Sequence, residues 1–231
     1  MSAQIEYYDH FGEQYEEAIL SCPEPHFWTT DYQDKGRIYQ EIKQRVELQK
    51  TFIDRYFNKS LPVLDIGCGF GRQAYLLAKD GFQLIGIDTS KVFISLANSL
   101  FYNAELKGMF LCKNILEESL EARYQQVLLF DVLEHIPPRK RKLFIQRLSA
   151  STDPGACMIL SLPSVKKRIS SQINNCIRKA VTHHFSYFRK KEEHPYPIPQ
   201  KGEILQLIHH SFTVKEFTST NDTDYYVLAR Q

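Results

Sequence analysis

Val63-Leu64-Asp65-Ile66-Gly67-Cys68-Gly69-Phe70-Gly71 is the stretch on which the fold turns. An apolar run ends in an acid, glycine then recurs at every second position, and apolar residues at helical spacing follow from Arg72 to Lys79. Strand, turn and helix are the reading of that order. Glycine permits positive φ and leaves room for a ligand against the backbone. The start of the helix presents unpaired N–H groups to an electronegative ligand edge. Ala74 stands where the last glycine of GxGxxG belongs, which separates the stretch from the dinucleotide fingerprint. A second acid, Asp88 in Gly86-Ile87-Asp88-Thr89-Ser90, ends the next apolar run. A Rossmann-type domain places a carboxylate there to accept from ribose hydroxyls; capping of the following helix is the other reading of Asp88.

Outward from this unit the pattern repeats. Strands are expected over 61–66, 83–87, 109–112, 126–130 and 157–162, the last entered through a turn at Asp153-Pro154-Gly155. Helices are expected over 38–57, 72–79, 91–100, 139–148 and 202–210, with Ser90 or Thr89 as the cap of the third. Two closing strands, 213–218 and 225–229, flank a polar connection suited to a hairpin. Alternating strands and helices imply an α/β fold: a Rossmann-like, mostly parallel seven-stranded sheet with helices on both faces and a C-terminal antiparallel hairpin. Within one domain overall, residues 1–58 read as an N-terminal helical lid, 59–163 as the core, 164–199 as an insertion, and 200–231 as the completion of the sheet.

A chain of 231 residues with 43% hydrophobic and 24% charged residues suits one soluble globular unit. The beginning of the chain has neither a basic start nor an apolar h-region and so does not read as a secretory signal, and no apolar run reaches bilayer length. Five scattered cysteines without a CxxC pair point to reduced thiols in a cytoplasmic compartment and away from a disulfide framework or a zinc site; no metal is assigned.

As a set, VLDIGCGFG and GIDTS resemble the first and second motifs of the class I S-adenosylmethionine-dependent methyltransferases. The resemblance covers roughly residues 60–163 and implies S-adenosyl-L-methionine as cofactor. It implies that Asp65 and the backbone of Gly67 and Gly69 hold the amino-acid portion, with Cys68 and Gly71 of the same turn as further cofactor contacts, and that Asp88, with Thr89 beside it, holds the ribose. At the third strand the family usually has an acid for the adenine amino group. This chain has Asn114, followed by Ile115, and an amide oxygen still accepts such a bond. Tyr7-Tyr8-Asp9 looks like the lid helix of many such enzymes, which marks Tyr8 and Tyr15 as further cofactor contacts beside plain packing roles.

Phe130-Asp131-Val132-Leu133-Glu134-His135-Ile136-Pro137 follows the fourth strand, where side chains face the ligand in an open α/β sheet. It resembles the same region of the ubiquinone-biosynthesis-type small-molecule O-methyltransferases. Asp131 is read as lining the cofactor, and His135 with Glu134 as the catalytic pair, His135 being the base for an oxygen acceptor. A scaffold role for His135 stays open. The resemblance further implies that Asp131, Glu134 and His135 hold a divalent cation in some relatives, while the same three also suit a hydrogen-bonded scaffold.

Residues 164–191 carry eight basic side chains and no acid, and their apolar residues, Ile169, Ile173, Cys176, Ile177, Ala180, Val181 and Phe188, fall in one helical sector. Peripheral membrane contact and a lid packed on its own domain are the two readings of this pattern. A single basic segment argues against nucleic acid as partner, and His194 is placed at the border of the acceptor pocket. The chain therefore reads as a methyltransferase for a small, hydrophobic acceptor, most simply at oxygen. Methylation of protein or RNA, and a non-catalytic cofactor-fold module, are the rivals. Phe130-Asp131-Val132-Leu133 lacks the Asn/Asp-Pro-Pro-Tyr/Phe pattern of amino-nitrogen enzymes, and the intact acids and glycines speak against a module that has lost its cofactor.

Overall fold

The computed structural model describes residues 2–21, 37–164, 196–220 and 222–231. Most of the basic segment 164–191, with its membrane and lid readings, and His194 lie outside the described residues.

Seven strands form one sheet in the order β3-β2-β1-β4-β5-β7-β6. They are β1 (Val63–Ile66), β2 (Leu84–Asp88), β3 (Met109–Cys112), β4 (Tyr124–Phe130), β5 (Thr152–Pro163), β6 (Phe212–Ser219) and β7 (Thr223–Arg230). β1 to β5 pair in parallel, and β7 runs antiparallel between β5 and β6. Helices α1 (Ser2–Ser21), α2 (Arg37–Tyr56), α3 (Arg72–Lys79), α4 (Lys91–Asn103), α5 (Pro138–Ala150) and α6 (Lys201–Ile208) surround it.

The two-residue period of the strands divides the core into two layers. Val63, Leu128, Ile159 and Val227 face one side, where Phe52 and Ile53 of α2, Ala74 and Leu77 of α3, and Ala97 and Leu100 of α4 cover them. Leu64, Val127, Leu129 and Leu160 face the other, against Phe144, Ile145 and Leu148 of α5 and Ile204 and Ile208 of α6. Central β1 and most of β4 are buried on both faces, which is why their sequences run apolar without alternation.

Polar anchors fix the loops. Gln126 on β4, 3% exposed, donates to the carbonyls of Asn58 (3.0 Å) and Leu61 (3.1 Å) and so pins the entry to β1. Arg141 on α5, 1% exposed, donates to the Ile136 carbonyl, to Glu203 on α6 and to the Pro197 carbonyl, where the chain returns from the insertion. Ser90 caps α4 by accepting from Phe93 N at 3.0 Å.

One expected turn is placed differently. Asp153-Pro154-Gly155 lies inside β5, not ahead of it: Thr152 already pairs with Tyr124, and the register shifts before Gln126 meets Cys157. Gly155, at φ 80, absorbs that irregularity. Among the described residues no helix is long and apolar enough to cross a membrane.

Candidate active site

The strand order reverses between β1 and β4, and at such a switch point the loops leaving the two strands diverge and open a crevice. A cavity of about 390 Å³ lies there, within the range of small-molecule sites. Its walls come from the carboxyl ends of β1, β2, β3, β4 and β5, from α1 and from α2.

The glycine turn forms its floor. Gly67 and Gly69 hold φ of 69° and 55°, and both line the cavity. A Cβ on Gly67 would stand 2.4 Å from Val132 Cγ2, so only glycine lets the turn lie this close beneath the loop after β4. Gly67 N and Cys68 N donate to the Ile87 carbonyl, which clamps the turn to β2. Gly71, the N-cap residue of α3, and Cys68, buried against the sheet, do not line the cavity.

Asp88 combines both readings made of it. Its carboxylate accepts from Gly69 N and from Ser90 N, each at 2.9 Å, and therefore braces the turn as well as the start of α4. Burial pushes its pKa up while those N–H donors pull it down. Asp88 also lines the cavity, and a carboxylate has more acceptor sites than these two bonds use. Thr89 lines the same wall. Asn114 Oδ1 accepts from Leu116 N at 3.0 Å in a local turn, and Asn114 and Ile115 line the far end.

Asp65 is beneath this floor and does not line the cavity. It is 3% exposed, and its Oδ2 has no hydrogen-bond partner among the described residues. Burial, with the Asp88 charge nearby, raises its pKa to about 7, against the opposing pull of Arg72. Burial in turn lowers the Arg72 guanidinium to about 10.

After β4 the backbone turns sharply. Asp131 sits at φ 55, a left-handed conformation that a non-glycine residue adopts at some cost. Its carboxylate accepts from Ser161 Oγ at 2.9 Å and pairs with Arg45 of α2. A short 3₁₀ turn, Leu133–His135, then carries the fully buried Glu134 and His135 to the cavity wall. His135 Nδ1 is 2.7 Å from Gln4 Nε2, and its Nε2 lies 3.4 Å from the Tyr8 hydroxyl and 3.9 Å from Glu134 Oε1. Among the described residues no group of three or more His, Cys, Asp or Glu converges as a metal site.

A family described as "Methyltransferase domain" matches residues 63–155, the span that carries the glycine turn, Asp88 and the Glu134–His135 turn. Residues 63–155 thus make up a methyltransferase domain. This methyltransferase is 28% identical over 177 residues to the ubiquinone biosynthesis O-methyltransferase of Rickettsia typhi, covering 73% of this chain and 71% of that one. It is 33% identical over 101 residues to the enzyme of the same name from Bradyrhizobium diazoefficiens, but there the match covers 44% of this chain and only 39% of the other. Its fold is shared with magnesium protoporphyrin IX methyltransferase from Synechocystis with bound S-adenosylhomocysteine, at TM-score 0.58 and 20% identity, covering 83% and 82% of the two chains.

Of the residues expected from the sequence, the cavity gathers Gly67, Gly69, Asp88, Thr89, Asn114, Ile115, Asp131, Glu134, His135 and Tyr8. Tyr15 lies on α1, but its side chain is outside the described residues. Sequence reading missed Gln4, Arg45 and Lys113, which line the cavity as well. For Arg45 a signal exists: with Gln49, Phe52 and Tyr56 it falls at helical spacing on the inner face of α2, and a charge on such a face asks for a partner.

Proposed function

We propose that this methyltransferase acts on an oxygen of a small, largely apolar acceptor, with His135 as the base. The observation that carries the proposal is the placement of His135, backed by Glu134, in a cavity that also presents apolar side chains such as Ile5, Val132, Ile136 and Phe144. The ubiquinone-biosynthesis O-methyltransferases named above point to the same acceptor class.

Fit to the cofactor rests on the donor set. Asp88 offers spare carboxylate lone pairs for ribose hydroxyls, Gly67 and Gly69 leave the backbone open where a Cβ would intrude, and Asn114 with Ile115 would flank the adenine. Asp65 and the Arg45–Asp131 pair put opposite charges near the turn, matching a group that carries both an ammonium and a carboxylate. The cofactor supplies an activated sulfonium methyl. The protein then has two tasks, to align the acceptor oxygen and to receive its proton. His135 Nε2 would receive the proton of the acceptor hydroxyl, and the buried Glu134 carboxylate would favour the resulting imidazolium. Peripheral membrane contact through 164–191, supported by its eight basic residues, would bring an apolar acceptor to the cavity.

Turnover of a series of phenols and catechols bearing longer alkyl chains tests this reading, run with and without anionic vesicles. Turnover should rise with chain length, and for the longest members should rise further with vesicles. Methylation of amines in preference to every oxygen acceptor contradicts it. The cofactor half has its own check: Asp88→Ala should weaken S-adenosylhomocysteine binding by roughly 1–3 kcal/mol in calorimetry, the range for bonds to a charged acceptor.

A further inference from the structure

The imidazole of His135 is held from one side by a single helix. Gln4 and Tyr8 stand four residues apart on α1, so they share a face, and both reach the same ring across the cavity. Their contacts differ in kind. The Gln4 amide meets Nδ1 at 2.7 Å, a short bond, whereas the Tyr8 hydroxyl meets Nε2 at 3.4 Å, near the limit of a hydrogen bond, with the rings edge to face at 5.8 Å. The tight contact engages one nitrogen, and the loose one leaves the other more weakly held.

We infer that Gln4 is a positioning residue for His135, engaging Nδ1 so that Nε2 is the nitrogen that handles the acceptor's proton. This rests on the reading of His135 as base. Glutamine suits the task because its amide carries both a donor and an acceptor. With its NH₂ toward the ring, Gln4 donates to Nδ1 and the neutral imidazole carries its proton on Nε2. After a half-turn of the amide, Oε1 accepts from Nδ1–H, which leaves Nε2 with the lone pair of a base and also suits the imidazolium formed afterwards. Glutamate accepts only, and an apolar side chain offers nothing. Among the described residues, charged or titratable groups against the ring include Glu134 on its own turn and Tyr8 on α1; lining the same cavity are Arg45 on α2, Asp88 and Lys113 at the ends of β2 and β3, and Asp131 after β4.

The test needs no acceptor. Protein labelled with ¹⁵N-histidine and saturated with S-adenosylhomocysteine is titrated by long-range ¹H–¹⁵N spectroscopy, with His135→Ala identifying the His135 signals among the eight histidines. Gln4→Met should shift the tautomer balance of His135, and Gln4→Glu should hold the proton on Nδ1 and move the titration midpoint up by about one unit. Spectra of both variants identical to those of the parent overturn the inference. Unchanged S-adenosylhomocysteine affinity shows that α1 remains docked; if Gln4→Met loses it, the isosteric Gln4→Glu decides. With any acceptor that is turned over, Gln4→Met should lower kcat about tenfold at unchanged cofactor KM, and Gln4→Glu should move the acid limb of the pH–rate profile upward. If His135→Ala keeps full turnover, the base reading fails; if it loses turnover while the Gln4 variants leave spectra and pH profile unmoved, only the role of Gln4 fails.

Discussion

His135→Ala is expected to lower turnover by about 10²-fold or more while S-adenosylmethionine affinity stays within about twofold. In barrier terms the loss is roughly 2.7 kcal/mol, the worth of a positioned base. The two effects separate because the imidazole stands on the turn after β4 against α1, whereas Asp88, the carboxylate proposed for the ribose, braces the glycine turn at Gly69 N. Added imidazole should recover part of the rate, since the variant leaves a space that small base can enter. Steady-state kinetics paired with calorimetry reads both quantities. A variant that loses cofactor affinity and turnover together would instead mark His135 as a residue that holds the Leu133–His135 turn in shape.

The second large effect concerns stability and Asp65. Its carboxyl is buried and has a folded pKa of about 7 against an ordinary 3.8, so the folded protein binds that proton more tightly than the unfolded chain. The resulting stabilisation is complete below about pH 4 and is lost as pH rises through 7. The interval amounts to about 4 kcal/mol at most. Asp65→Asn keeps the shape and removes the charge, so at pH 8 the ligand-free variant should be more stable than the parent by roughly 1–4 kcal/mol, and near pH 4 the two should converge. Urea unfolding at pH 4, 6, 7 and 8 measures the difference, and a difference constant across that range rules the account out. The same variant should bind S-adenosylmethionine more weakly at pH 8, because a buried carboxylate below the turn favours a cationic ligand above it.

What the sequence disclosed depended on how local the cause was. The turn from Gly67 to Gly71, the Ser90 cap and the helix over 72–79 were legible because glycine φ freedom, capping and apolar spacing act within a few residues. Asp88 was legible as a carboxylate at a strand end, but its double use, bracing Gly69 N as well as Ser90 N, depends on a contact between two loops. Asn114 was read for its free acceptor, and part of that capacity is spent on Leu116 N. The entry to β5 was misjudged because Asp153-Pro154-Gly155 has turn chemistry, and a bulged strand uses the same residues. Gln4 and Arg45 escaped notice because their partners, His135 and Asp131, lie more than 80 residues away in the chain. No pattern of period two or 3.6 connects such pairs.

Helix α1 does more than add Gln4 and Tyr8 to the wall. Asp9 accepts from the Ser90 hydroxyl, Phe11 and Tyr8 stack edgewise or tilted on Phe93, and Gly12 is buried where a Cβ would stand 2.7 Å from Val92 Cγ1. The helix thus rests on α4, the element whose first turn Asp88 braces. A ligand seated between the two helices is gripped by surfaces that must part before it leaves. Escape of a spent cofactor seated there would then follow the clock of a partial opening, not of diffusion, and a bulkier residue at position 12 is expected to shorten that residence while leaving the sheet and its acids where they are.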